Sequence, residues 1–327
     1  MRLNRMGSMF AALLALAAGM GFAEFTLAQG TAPTMRLVVG FPPGGSTDLV
    51  ARQLAEKLRV HLGRPVIVDN RPGALSRLAR AEVKRSPRDG NTLMFSTAGG
   101  STVLPHLYSE KNLGYTPEEY SPVARVALFD YVLAAGPKVQ ARSLSELRAW
   151  TKRNPNATYG SPGTGSIPHL LGIELSEVLA SPMVHVPYKG LAPAVQDLAG
   201  GHISFVIASP VEVLDLHRAG KVRAIAAISD QRPILMPDVP TLAEQGLKLS
   251  ADSFFGVWAA SGTSPEIIGR LNAAIVTVLR DPDLQDRLAK MGLRTAPSTP
   301  AEQHASELEE SKRWQAFIKR TGIVMEP

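Results

Sequence analysis

Cysteine is absent from all 327 residues. No disulfide can brace the chain, so its stability must come from apolar cores. After the first residues there is no apolar run long enough to span a bilayer. Charge of one sign is not clustered: the net charge is +6, but the basic residues are scattered among acids. That pattern argues against a nucleic-acid tract and suits a basic surface or the capture of small acidic molecules. Nucleotide signatures are missing too. No Gly-Lys-Ser/Thr follows the first glycine turn, and Pro168 stands where a dinucleotide fingerprint after Gly163 and Gly165 would need its last glycine. The seven histidines show no ligand-like spacing and have no cysteine partners, so neither a metal nor a cofactor is expected.

What is present is enough for two domains. Hydrophobic residues make up 45% and charged residues 20%, a balance that supports real cores without long disorder. The chain opens with Arg2 and Arg5, then an apolar stretch from Met9 to Ala23, then small residues as far as Ala28. This pattern is that of a secretory signal peptide over residues 1–28, with cleavage after Ala23 as the competing site and an uncleaved anchor as the alternative. Export of a cysteine-free chain points to the periplasm.

The chain is organised around Leu37-Val-Val-Gly-Phe-Pro-Pro-Gly-Gly-Ser-Thr-Asp48 and the helix that follows. An apolar strand runs into a Pro/Gly turn. Ser46 is the expected N-cap, and Val50, Leu54 and Leu58 fall on one helical face. A second such unit follows. A strand ends near Ser161, Pro162-Gly-Thr-Gly-Ser166 forms the turn, and a helix is predicted over 167–179 with Pro168 in its first turn. Between and after them, strands are expected at 66–68, 92–96, 123–127, 131–134, 183–186, 203–208, 222–228 and 254–260. They alternate with helix-like stretches, which predicts an α/β fold with mainly parallel sheets. Long helices are expected from Pro265 and, with a Thr299–Glu302 capping box, from Thr299 to just before Gly322.

Each glycine turn leaves backbone N–H groups and a positive helix end at the carboxyl edge of a sheet, where anions bind. If the two face each other across a cleft, each can hold one end of a small dianion. The opposite reading is a plain βα turn without ligand. Asp48 either favours its helix N-terminus or meets a ligand amino or hydroxyl group. His169 reads as a helix-end polar residue. A hydrolase using Ser161 or Ser166 with His169 is the alternative from another class, although no nucleophile-elbow pattern surrounds either serine. Arg77, Arg80 and Lys84 share a helical face and read as a solvated stripe. Phe41 and Tyr188 read as packing residues that sit beside turns.

Several segments together resemble the extracytoplasmic solute receptors of the tripartite tricarboxylate transporter family, the Bug-type receptors. These are Val39–Asp48, Asp69-Asn-Arg-Pro-Gly-Ala74, Asp89-Gly-Asn-Thr-Leu93, Tyr159–Ser166, Val186-Pro-Tyr-Lys-Gly190, Ala219–Ala224, Met236-Pro-Asp-Val-Pro-Thr241 and Phe255-Gly-Val-Trp258. The resemblance covers nearly the whole mature chain. It implies a two-domain, type II-like periplasmic binding protein with a ligand cleft and hinge, and two doubly wound sheets. Residues 36–129 plus 253–327 would form domain 1, and residues 130–252 domain 2. It implies carboxylate ligands gripped by Phe41, Pro42, Gly44, Gly45, Ser46, Thr47 and Asp48 on one side. On the other side stand Ser161, Gly163, Thr164, Gly165 and Ser166. Ser96, Thr97, Gly99 and Ser101 line the pocket, with Tyr188 as a wall. Relatives with an acid at the place of Asp48 include receptors for ligands carrying an amino group. The expected protein is a monomer that binds without catalysis and hands its ligand to membrane permease subunits. Service to a signalling partner is the variant reading. The chain departs from the pattern at Leu75-Ser76-Arg77-Leu78-Ala79, where the family has more glycine and smaller side chains, and at Ser204 and Ala208, where it often has acids. Leu75 or Arg77 is therefore expected to reshape the pocket.

Overall fold

The computed structural model describes residues 33–251 and 253–325. The leader over 1–28 lies outside the described residues. From Pro33 onward the chain builds two sheets, each covered by helices.

The first sheet contains β1 (Met35–Val39), β2 (Val66–Asn70), β3 (Thr92–Thr97), β4 (Tyr120–Phe129), β10 (Ser253–Ala260) and β11 (Arg294–Thr295), in the order β11-β4-β10-β3-β1-β2. The second contains β5 (Val132–Ala135), β6 (Thr158–Ser161), β7 (Val184–Pro187), β8 (Phe205–Ala208) and β9 (Arg223–Ala227), in the order β7-β6-β8-β5-β9. The expected mainly parallel arrangement holds only where βα units follow one another. β1 pairs in parallel with β2 and β3, and β6 with β7 and β8. β10 runs antiparallel to both β3 and β4, and β5 runs antiparallel to both β8 and β9. The cause is the path of the chain. It leaves the first sheet through β4, builds the second, and returns through β10, so these strands are not joined by right-handed βαβ crossovers.

The apolar runs are buried as their composition requires. Leu37, Val38 and Val39 of β1 are sealed between helices, and every residue of β10 is buried. Helix α1 (Ser46–Leu62) buries Val50, Leu54 and Leu58 and stops at Gly63 in a left-handed conformation. Its N-cap is Gly45 rather than the expected Ser46. The serine opens the helix, and its hydroxyl turns to a glutamate on a helix packed against the other sheet. Helix α2 (Arg77–Lys84) follows β2, and the short helices α3 (Gly99–Thr102), α4 (Leu104–Leu107) and α5 (Glu110–Leu113) follow β3. In the second half, α6 (Leu144–Arg153) precedes β6, α7 (Ile167–Leu179) follows it, α8 (Leu191–Ala199) follows β7, and α9 (Pro210–Arg218) follows β8. The chain closes with α10 (Pro265–Leu279), α11 (Pro282–Lys290) and α12 (Pro300–Thr321), whose Thr299–Glu302 capping box is formed.

The basic stripe of α2 is not a solvated face. Arg80 is wholly buried. Its guanidinium lies 5.1 Å from the ring centres of both Tyr115 and Tyr120 and 5.7 Å from that of Trp258. The helix is short and packs inward, so the middle cation of the stripe meets aromatic faces instead of water. Lys84 pairs with Glu119 at 2.6 Å, and Arg77 reaches the Asn112 carbonyl at 2.7 Å. Among the described residues no helix is long and apolar enough to cross a membrane.

Candidate functional site

The βα turns of both sheets converge on one cavity of about 150 Å³. They do so because each turn lies at the carboxyl end of a parallel strand, the edge where doubly wound sheets bind ligands. From the first sheet come Phe41, Pro42, Gly45, Ser46 and Thr47 after β1, and Ser96, Thr97 and Gly99 at the end of β3. From the second come Gly165 and Ser166 after β6, Lys189 and Gly190 after β7, and Ser209 and Glu212 after β8. Phe129, Tyr131 and Phe255 line it where the chain crosses between sheets. Phe129 stacks on Phe255 at 4.6 Å and meets Tyr131 edge-on at 5.2 Å.

The first glycine turn is held from behind by Asp48. Its Oδ2 accepts from the Gly44 N–H and from Arg52 Nε, both at 2.9 Å, and its Oδ1 accepts from Asn70 Nδ2 at 2.9 Å. Asn70 also donates to the Phe41 carbonyl at 3.1 Å. Burial opposes the charge on Asp48, but these donors outweigh it and hold its carboxyl below the usual carboxylate range. Asp48 is 2% exposed and lines neither this cavity nor its neighbour. Of its two expected roles, the structure shows Asp48 bracing the loop that offers N–H groups, with Gly44 at a φ of 87° that favours glycine.

The second turn is held by Ser166, which caps α7 by accepting from the His169 N–H at 3.3 Å and donates to the Gly163 carbonyl at 2.7 Å. The His169 ring accepts from the Gly165 N–H through Nδ1 at 3.1 Å. It lies 3.9 Å, centre to centre, from the ring of His185. Burial lowers His169 to about 4, and burial plus the neighbouring ring lowers His185 to about 3. Ser161 Oγ lies 2.7 Å from His185 Nε2, not on His169, and is fully buried. The serines and His169 hold the turn, and the serine–His169 side-chain pairing of the alternative hydrolase reading is not formed.

A second cavity adjoins the first. Gly163, Thr164 and Tyr188 of the predicted set line it, with Arg77 and Lys189 as its cations. Leu75 and Phe41 border both cavities. Leu75 belongs to a run of three non-glycine residues, Ala74, Leu75 and Ser76, with φ of 46°, 52° and 71°. The turn thrusts the Leu75 side chain across the cleft, where it abuts Gly163 and Gly165 so closely that a Cβ on Gly163 would lie 2.8 Å from it. Gly44, Asp48, Ser101 and Ser161 border neither cavity. Residues not anticipated include Phe129, Tyr131, Phe255, Lys189 and Glu212. A sequence signal existed for the last, since Ser209-Pro-Val-Glu212 has capping-box spacing, and the box is formed. The aromatic trio gave no local signal, because it comes together only where the chain crosses between sheets.

Two mixed sheets with helix N-termini aimed into a shared cleft define a periplasmic-binding-protein architecture. The family described as "Tripartite tricarboxylate transporter family receptor" matches residues 50–323, and the chain belongs to it. Protein BugT of Bordetella pertussis is 34% identical over 296 residues, covering 88% of this chain and 89% of BugT. The structure of the periplasmic binding protein BugD superposes with a TM-score of 0.84 at 30% identity, over 90% of this chain and 100% of that one. Rpa4515 of R. palustris, solved with adipate, gives a TM-score of 0.84 at 29% identity, over 89% of this chain and 98% of that one.

Proposed function

We propose that this solute-binding receptor works in the periplasm, captures an organic carboxylate between its two lobes and presents it to the permease of a tripartite tricarboxylate transporter. One observation carries the reading: glycine turns at helix N-termini from both sheets, around Ser46 and around Ser166, line a single cavity. Such turns present backbone donors and positive helix ends, each worth roughly 0.3–1 kcal/mol to an anion when exposed and up to about 2 when partly buried. The adipate in a relative of the same fold supports the ligand class. Residues 36–129 with 253–327 form one lobe and 130–252 the other. The hinge lies at the two crossings, near Asp130 and Ala251. Closure excludes water and strengthens the contacts from Gly45–Thr47, Ser96–Gly99 and Gly165–Ser166, while Asp48 and Ser161 act by holding the turns. Aromatic walls favour an acid with an apolar body over a small, densely charged one.

The test is a thermal-shift screen of the mature protein against mono-, di- and tricarboxylates, aromatic acids and amino acids. A ligand at a hundred times its Kd adds about 2.7 kcal/mol, a rise of several degrees for a chain of this size. A selective shift is expected. A flat response from protein that has been unfolded and refolded to strip carried-over ligand overturns the proposal.

A further inference from the structure

The first pole of the cleft already faces a carboxylate of the protein itself. Glu212 Oε2 accepts from the Ser209 N–H at 3.2 Å and from the Ser209 hydroxyl at 2.8 Å. These bonds lock the side chain to the start of α9 as a capping box. Its other oxygen, Oε1, turns into the cleft and takes a long hydrogen bond of 3.4 Å from Ser46 Oγ at the start of α1. Two charged residues border this cavity. Lys189 is exposed, whereas Glu212 is half-buried, and burial pushes its carboxyl above the usual range against the opposing bonds from Ser209 and Ser46.

We propose that Glu212 is a specificity determinant that selects acids bearing a hydrogen-bond donor, above all an ammonium group, at the end remote from the carboxylate, and rejects dicarboxylates. This rests on the receptor reading and deepens it. The carboxylate of the ligand goes to the second pole, at Gly165 and Ser166, where no acid borders the cavity. The remote end then meets Glu212 Oε1, an acceptor with spare lone pairs and, when ionised, no donor. An ammonium there gains a charge-assisted hydrogen bond. A second carboxylate placed there meets a like charge in a partly dehydrated site. Phe129, Phe255 and Leu75 also line this cavity, which suits an apolar spacer. Glu212 thus acts by repulsion as well as attraction, as selective sites do.

The experiment compares two isosteric series by calorimetry: 6-aminohexanoate, hexanoate and adipate, and 4-(aminomethyl)benzoate, 4-methylbenzoate and terephthalate. In the native protein the amine is expected to bind at least tenfold tighter than the matching diacid in the series that fits the cavity. Glu212→Gln, which can still form the capping box, should shrink that ratio at least tenfold. Glu212→Asp, which keeps the charge, should preserve its sign. A diacid bound as tightly as the amine by the native protein, or a ratio unmoved in Glu212→Gln, overturns the inference and leaves the receptor reading standing. Failure of all six compounds to bind the native protein, while the wider thermal-shift panel still yields a selective ligand, overturns the inference alone, and a flat panel overturns both. The native comparison needs no variant, so a misfolded variant does not shield the idea.

Discussion

Leu75 is held in a conformation that its side chain disfavours. A left-handed residue other than glycine costs roughly 1–2 kcal/mol, and here three stand in a row. The run puts an isobutyl group between the two cavities and against the second glycine turn. Strain of this kind collects at ligand sites because it fixes a side chain where relaxed backbone would not. Leu75→Gly should therefore leave the melting temperature unchanged or raise it slightly, since relief of about 1 kcal/mol of strain is offset by a freer unfolded chain. It should also join the cavities and shift preference toward longer acids. A thermal-shift series over acids of increasing length reads both effects, and an unchanged length profile would remove Leu75 from the site. The sequence flagged this position because bulky residues stood in a normally glycine-rich loop. It gave no sign of Arg80, whose aromatic partners arrive from Tyr115, Tyr120 and Trp258, three segments that only the fold brings together.

At the level of elements, α1 and α7 were legible because apolar period and turn glycines agree there, although the cap of α1 falls one residue early, at Gly45. Strand direction was not. Antiparallel pairing of β10 with β4 joins segments far apart in sequence, and no local pattern encodes it. The close seating of α7 on β6 has a local cause that can be tested. A Cβ on Gly172 would lie 2.0–2.5 Å from ring atoms of Tyr159, a buried ring whose hydroxyl donates to the His169 carbonyl at 3.0 Å. Gly172→Ala should destabilise by about 1–3 kcal/mol or more through overpacking. It should lower the urea midpoint without changing the slope. Gly269 of α10 has open space around its Cβ position, so Gly269→Ala should instead gain up to about 1 kcal/mol from helix propensity. Equal effects at the two sites would refute the packing argument.

Across the whole molecule, buried titratable groups limit stability from both sides of neutrality. His169 and His185 are depressed from 6.5 to about 4 and about 3. They fold neutral, so their contribution is complete above 6.5 and is lost as pH falls, by up to about 1.4 kcal/mol per pH unit for each ring. Glu307 behaves in the opposite sense. Burial lifts it from 4.5 to about 7, against hydrogen bonds from Trp258 and Gln303 and the charge of Arg80. Its contribution is complete below 4.5 and fades as pH rises through about 7. Melting temperature plotted against pH should fall on the acid side and decline again toward pH 8. Glu307→Gln should reduce the alkaline limb to the part set by Glu310, which burial raises to about 8, and leave the acid limb. A mutant whose two limbs matched the parent would show that Glu307 does not titrate in this range.

The position of β10 between β4 and β3 also dictates an order of assembly. A growing chain that has reached residue 251 holds every strand of the second sheet, while the first still has a gap where its central strand belongs. The part inserted is thus complete before the part that receives it. The N-terminal strands must wait, with open edges, for a segment made late, and a chain cut short before β10 is left with edges primed for the wrong partner.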